Sequence, residues 1–236
     1  MELGDSTTAE RDQRSVMDTA LDRFDSALTD VISAVETSGF DHLKADQQVA
    51  VWQRFETIRN KLPLVDHQLI TAADAADLPR EYCSATMTQF LVRVLQLTPG
   101  EAAARVRAAA AVGPRSSMLG EQSEPLLPGL AALQRDGVVS AAKVQIVERA
   151  MHTLSRPSLD PQAVQTAERL LTDQAPILAP AELHRFAQAV VAAADPDGPE
   201  PVDDQLQQDR RYSNSNSGGT ACGSCTANSA TPSVPN

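Results

Sequence analysis

Two thiols separated by two residues, Cys222-Gly223-Ser224-Cys225, have the spacing of a metal clamp or a redox pair. Structural zinc takes four donors, and no histidine follows His184, so this pair supplies half a site at most. A thioredoxin-like role needs a strand–helix unit, and the surrounding Ser, Asn, Gly and Thr provide none. The Cys222/Cys225 pair therefore reads as incidental. The four histidines are scattered, and no two of them stand at the i, i+4 spacing that sets two imidazoles on one helical face. His42, His67 and His152 fall at expected surface positions, and His184 is expected to be partly buried. Cys83 has no nucleophile's context and reads as a passive thiol. No catalytic, cofactor-binding or metal-ligating residue is assigned, and the chain is not expected to be an enzyme or to need a cofactor.

The remaining chemistry is electrostatic. Arg105 and Arg107 flank Val106, and Arg93, Arg115, Lys143 and Arg149 lie in the same stretch. Arg105, Arg107 and Lys143 are the residues assigned to nucleic-acid contact, with ordinary solvation of helix exteriors as the alternative. The balance of charge restrains that assignment. The chain carries −11 overall, with 20 Lys/Arg against 31 Asp/Glu, and only residues 80–157 are basic, with 9 against 6. Proteins that grip nucleic acid by its phosphates need a dense basic surface, so only weak DNA binding is expected.

The elements that would position these residues are helical. Aromatics are 3% of the chain, which is rich in Ala and Leu, and no stretch alternates apolar with polar residues as a half-buried strand does. Residues 1–15 show no period and are expected to be disordered. Met17, Leu21, Phe24, Leu28, Val31, Ile32 and Val35 then mark one buried helix face, with Gly39 as its stop. Asp46 is a plausible cap for a helix bearing Val49, Trp52, Phe55, Ile58 and Leu62. Pro63 either kinks that helix or opens a new one through Ala76, the continuing stripe of Leu62, Val65, Leu69 and Ile70 favouring the kink. Ser84 opens a segment with Met87, Phe90 and Leu91 aligned. Thr98-Pro99-Gly100-Glu101 is the clearest start signal, followed by a narrow face of Ala102, Val106 and Ala109.

Gly and Pro predict a long loop over 113–129. Leu130 to Arg135, the Asp136-Gly137 turn and a helix capped by Ser140 form a helical hairpin that resembles a helix-turn-helix in outline. Its second helix buries Val144, Val147, Met151 and Leu154 and turns Gln145, Glu148 and His152 outward. Asp160-Pro161 and Ala179-Pro180-Ala181-Glu182 start the last two helices, and Asp195-Pro196-Asp197-Gly198 ends them. The fold class is all-α, with about seven to eight helices. A single helical domain spans 16–198, and a low-complexity tail over 199–236 is expected to be disordered. The polar, acidic start predicts no leader, and no apolar run reaches the ~18 residues that cross a bilayer. The expectation is a cytoplasmic chain with no membrane contact and reduced thiols.

Three landmarks stand in order: Leu97-Thr98-Pro99-Gly100-Glu101-Ala102, Leu133 through Asp136-Gly137-Val138-Val139-Ser140, and Leu178-Ala179-Pro180-Ala181-Glu182-Leu183 with Asp195-Pro196-Asp197-Gly198. Together they resemble the 13E12 repeat family of mycobacteria, the domain of unknown function 222, over roughly residues 16–212. The resemblance implies a helical region of no settled activity that precedes an HNH endonuclease domain in proteins often associated with mobile elements. After Arg210-Arg211-Tyr212 the composition shifts abruptly to Ser213-Asn214-Ser215-Asn216, and no HNH motif follows. A truncated or frame-disrupted member is expected, with a separately encoded HNH nuclease half as one partner and a homo-oligomer as another. Three functions compete: a noncatalytic module for protein or DNA association, a stand-alone DNA binder through residues 80–157, and an endonuclease, the last disfavoured because the HNH ligands are missing.

Overall fold

The computed structural model of the chain describes residues 5–37, 39–116 and 122–195. The Cys222/Cys225 pair and the expected disordered tail lie outside the described residues. The fold is all-α: ten helices are present among the described residues, with one minimal pair of two-residue strands. Among the described residues no helix is long and apolar enough to cross a membrane. By their contacts the described residues divide into two compact units, one up to Glu56 and one from Thr57 on.

The first unit holds α1 (Asp5–Thr37) and the opening turns of α2 (Ala45–Lys61). α1 starts at Asp5, within the segment expected to be disordered through residue 15. Its apolar stripe is not buried. Met17, Leu21, Phe24, Leu28, Val31 and Val35 are between 39% and 57% exposed. The same holds on α2, where Val49, Trp52, Phe55, Ile58 and Leu62 all remain exposed. Periodicity fixes which side of a helix is apolar; it does not supply the surface that covers it. Phe40 and Trp52 meet edge to face, centroids 6.2 Å apart, and Gln48 Nε2 donates to the Phe40 carbonyl at 3.0 Å. α2 begins at Ala45, so Asp46 sits in the first turn, not at the predicted cap position, and the Gln47 side chain accepts from the Lys44 amide at 3.0 Å.

In the second unit Pro63 opens α3 (Pro63–Ala75) with Leu62 still in helical conformation, φ −56° and ψ −39°. Pro63 thus takes the first turn of a new helix in place of kinking one long helix, because its missing amide costs nothing where first-turn amides lack intrahelical partners. After the single turn of α4 (Leu78–Glu81), Thr86 accepts from the Gln89 amide and caps α5 (Met87–Leu95), two residues beyond the predicted Ser84. Thr98 does the same for the Glu101 amide and starts α6 (Pro99–Val112).

α6 is the central wall. Ala102 and Ala109 face a cluster with Ile70, Phe90 and Leu91, while Ala108, Ala111 and Val112 face the larger cluster around Leu130, Val144 and Leu154. Alanine on both sides lets α3 and α5 close on one face and α8 on another without a bulky side chain between backbones. The predicted narrow face is therefore only half of what the alanines do.

The segment expected to be a long loop is drawn together by β1 (Arg115–Ser116) and β2 (Gln122–Ser123), antiparallel with Arg115 opposite Ser123. The Leu127 amide donates to the Ala111 carbonyl at 2.9 Å. Then follow α7 (Pro128–Arg135), α8 (Ala141–Leu154), α9 (Pro161–Gln174) and α10 (Pro180–Ala194). Ser140 and Asp160 cap α8 and α9, and the Glu182 carboxylate accepts from the Ala179 amide at the start of α10. α8 packs against α6, α7, α9 and α10.

The hairpin turn is tightly fitted. Gly137 has φ +77°, and a Cβ there would lie 2.4 Å from the Thr57 carbonyl oxygen. Its own carbonyl accepts from Asn60 Nδ2 at 3.0 Å in a buried bond. Two substitutions test this packing by urea denaturation. Ala109→Leu overfills the α6 wall and should lower stability by about 1–3 kcal/mol. Gly137→Ala combines a left-handed backbone with a clash against backbone and should cost at least about 1 kcal/mol.

Candidate functional site

A cleft of about 570 Å³ opens in the second unit between α3, α6, α7 and α8. Its lining includes Asp66, His67, Glu101, Arg105, Gln134 and Arg149. α3 brings Asp66 and His67 as neighbours, α6 brings Glu101 and Arg105 one turn apart, and α7 brings Gln134 from its last turn. His67 and Gln134 are 2% and 0% exposed, so the predicted surface position of His67 is corrected. The residue lies one turn before buried Ile70, and that relation to the core face governs its place. His184, expected to be partly buried, is exposed because α10 turns Leu183, Ala187 and Val190 inward instead.

His67 Nε2 and Gln134 Oε1 are 3.1 Å apart. The remaining polar atoms of the pair, His67 Nδ1 and Gln134 Nε2, are buried and make no hydrogen bond within the described residues. Burial holds the His67 pKa below its usual value of 6.5; the Gln134 bond and the Asp66 charge offset this in part. The imidazole is therefore neutral near pH 7, one nitrogen engaged by the glutamine. Buried polar atoms without partners are costly, so this pair is a weak point of the core.

The assigned cations each reach a different neighbour. Arg105 lies 3.3 Å from Asp66 and 2.8 Å from Glu101. Arg107 Nε is 3.4 Å from Glu148 Oε2. Lys143 Nζ donates at 2.8 Å to the Ala175 carbonyl at the C-terminal end of α9, where a cation complements the helix dipole. A phosphate at Arg105 would have to compete with two carboxylates already in place. Arg93 donates to the Tyr82 carbonyl at 2.8 Å, Arg115 is exposed in β1, and Arg149 is exposed on the cleft rim.

Glu148 corrects a further expectation. It is buried, not turned outward, because α8 is enclosed by four helices and the Arg107 guanidinium meets it from α6. The same enclosure bears on the helix-turn-helix outline. A recognition helix must stand proud to enter a groove, whereas α8 exposes little beyond its first turn, Arg149 and the His152-Thr153 end. Among the described residues, no three His, Cys, Asp or Glu side chains gather where they could share a metal ion.

The second surface of note is the α1 stripe of the first unit. Toward its C-terminal end the stripe widens into an apolar cleft of about 410 Å³ lined by Leu28, Val31, Val35, Phe40, Trp52 and Phe55. Sequence periodicity located all of these side chains but Phe40, and the exposure of those on α1 and α2 is what it did not show.

Comparison with known proteins gives a consistent family. The model of the family described as "Domain of unknown function (DUF222)" matches residues 49–230, which leaves α1 outside the match. An uncharacterized protein of Mycobacterium tuberculosis (strain CDC 1551 / Oshkosh) is 31% identical over 183 residues, covering 77% of this chain and 43% of the relative. A second, from the same strain, is 32% identical over 180 residues, 76% of this chain and 38% of the relative. An uncharacterized protein of Mycobacterium bovis is 28% identical over 187 residues, 79% of this chain and 40% of the relative. The chain thus spans about two fifths of the length of the curated relatives it matches. No solved structure matches it.

The neutral, buried His67 sets a pH dependence with a defined sign. The unfolded chain takes up a proton at this histidine below about pH 6.5, while the folded chain resists protonation until lower pH. Stability from this group is present above that value and is lost as the pH falls through it. The urea midpoint should therefore drop between about pH 7.5 and pH 5.5, and the drop should be smaller in His67→Leu, whatever that variant's stability at the higher pH.

Proposed function

Because the chain belongs to the DUF222 family, we propose that it is a noncatalytic helical module, associated in longer proteins with an HNH nuclease, that works by association and leaves the cutting of DNA to the nuclease. The exposed apolar seam of α1 carries this reading. A contiguous apolar stripe on the surface of a chain of strong negative charge marks a contact surface, since monomeric proteins seldom leave one uncovered. The internal partners of Arg105, Arg107 and Lys143 favour protein association over DNA contact. Spending those cations on Asp66, Glu101, Glu148 and the end of α9 removes the charges that counterion release would need. The partner in this reading is a nuclease-bearing polypeptide, and the module's contribution is to place it.

The test is surface plasmon resonance between the immobilised full chain and a separately purified family member carrying an HNH domain. Saturable binding with a dissociation constant on the order of 10 μM or tighter, little weakened by salt, is the expected result. Fluorescence anisotropy with labelled duplex DNA, and incubation with supercoiled plasmid and Mg²⁺, supply the opposing arms. No protein binding, together with tight salt-sensitive DNA binding, would replace this reading with a DNA binder. Plasmid cleavage by the chain alone that survives repurification would make it an endonuclease.

A further inference from the structure

The apolar positions of α1 keep an unbroken heptad rhythm. Met17, Leu21, Phe24, Leu28, Val31 and Val35 follow one another by four, three, four, three and four residues. In heptad terms Leu21, Leu28 and Val35 occupy a, and Met17, Phe24 and Val31 occupy d. We propose that this seam binds the same seam of a second copy of the chain, the two α1 helices lying parallel and in register. The proposal rests on the association reading above and names one partner for it.

Three observations point to a second copy. The first is area. The six seam residues and Ile32 are between 39% and 57% exposed. Side chains of this size leave roughly 600 Å² per copy, so a pair would remove about 1,200 Å² from water, at the lower edge of the ~1,200–2,000 Å² of stable interfaces.

The second is the flanks. The g positions Ala20, Ala27 and Ala34 are all alanine, while acid is confined to the e side at Asp18 and Asp25. In a parallel pair g faces the e position five residues on, so Ala20 lies against the partner's Asp25 and Ala27 against the partner's Ile32. No like charges meet across these positions. An antiparallel pair would bring Asp25 against the partner's Asp25, which is unfavourable.

The third is composition. Residues 16–56 hold three Lys/Arg and eight Asp/Glu. A self-pair keeps this acid on its outer faces and joins only the apolar stripe. Salt should then favour association by screening the remaining repulsion, the reverse of its effect on nucleic-acid binding.

Sedimentation velocity of the full chain, alone, tests the proposal between about 1 and 100 μM. The expected result is a weight-average mass that rises from the 25.2 kDa monomer toward twice that mass and no further, with a midpoint that falls on adding salt. Leu28→Glu should raise that midpoint at least about tenfold, because it places two carboxylates in the seam. Ala20→Lys should lower it several-fold by pairing each lysine with the partner's Asp25, a gain that misfolding cannot produce. Both sites are exposed, and circular dichroism checks that helix content is unchanged. A chain that stays monomeric throughout, an assembly indifferent to Leu28→Glu, or one that Ala20→Lys fails to tighten would each overturn the proposal. Binding to the HNH-bearing relative by a chain that stays monomeric would leave the association reading standing and remove the second copy.

Discussion

The second unit depends on α6 being narrow enough to serve two cores at once. Ala102 and Ala109 on one side, and Ala108 and Ala111 on another, let helices close on it from both directions. A helix walled by leucine would hold its neighbours on both sides further apart. The approach also has a polar consequence. With α3 and α8 both pressed toward α6, His67 and Gln134 fall into the interior and must satisfy one another as best they can. Strain at that pair and economy along α6 are two results of one choice of side chain.

The charges of this unit act mainly as struts. Arg105 ties α6 to α3 through Asp66, Arg107 ties α6 to α8 through Glu148, and Lys143 ties α8 to the end of α9. Arg156 and the largely buried Asp195 add a link at the end of α10, 2.6 Å apart. Most of the half-exposed pairs contribute little individually, because water competes for them. Glu148 differs in being buried, so removal of Arg107 would strand a carboxylate away from water. The mild basicity of residues 80–157 is in good part a record of this bracing.

Local signals were the legible part of the sequence. Thr98, Ser140 and Asp160 each accept the backbone amide that a cap should, and Pro63 stands at the first position of α3. These depend on residues within one turn of each other. The buried polar set was harder to see. Gln134 lies one turn beyond Leu130, and Glu148 one turn beyond Val144, so both sit on apolar faces and were legible in principle. A reading that assigns polar residues to the outside by type passes over them. That Glu148 would be enclosed follows from α8 having four helical neighbours, a tertiary fact that no window of sequence contains. The α1 stripe shows the converse limit: its pattern was plain, yet its exposure depends on what the chain places beside it.

Neither apolar cluster draws a residue from before Ile70. The helical hydrogen bonds of α1 are consequently not secured by the burial that secures those of α6 and α8. Opening of a helix end is local where no core must be broken, and global where one must. In the monomer, backbone amide protons of α1 should thus trade with solvent deuterium on a clock of their own, well ahead of those in α8, so that one polypeptide displays two separate resistances to opening.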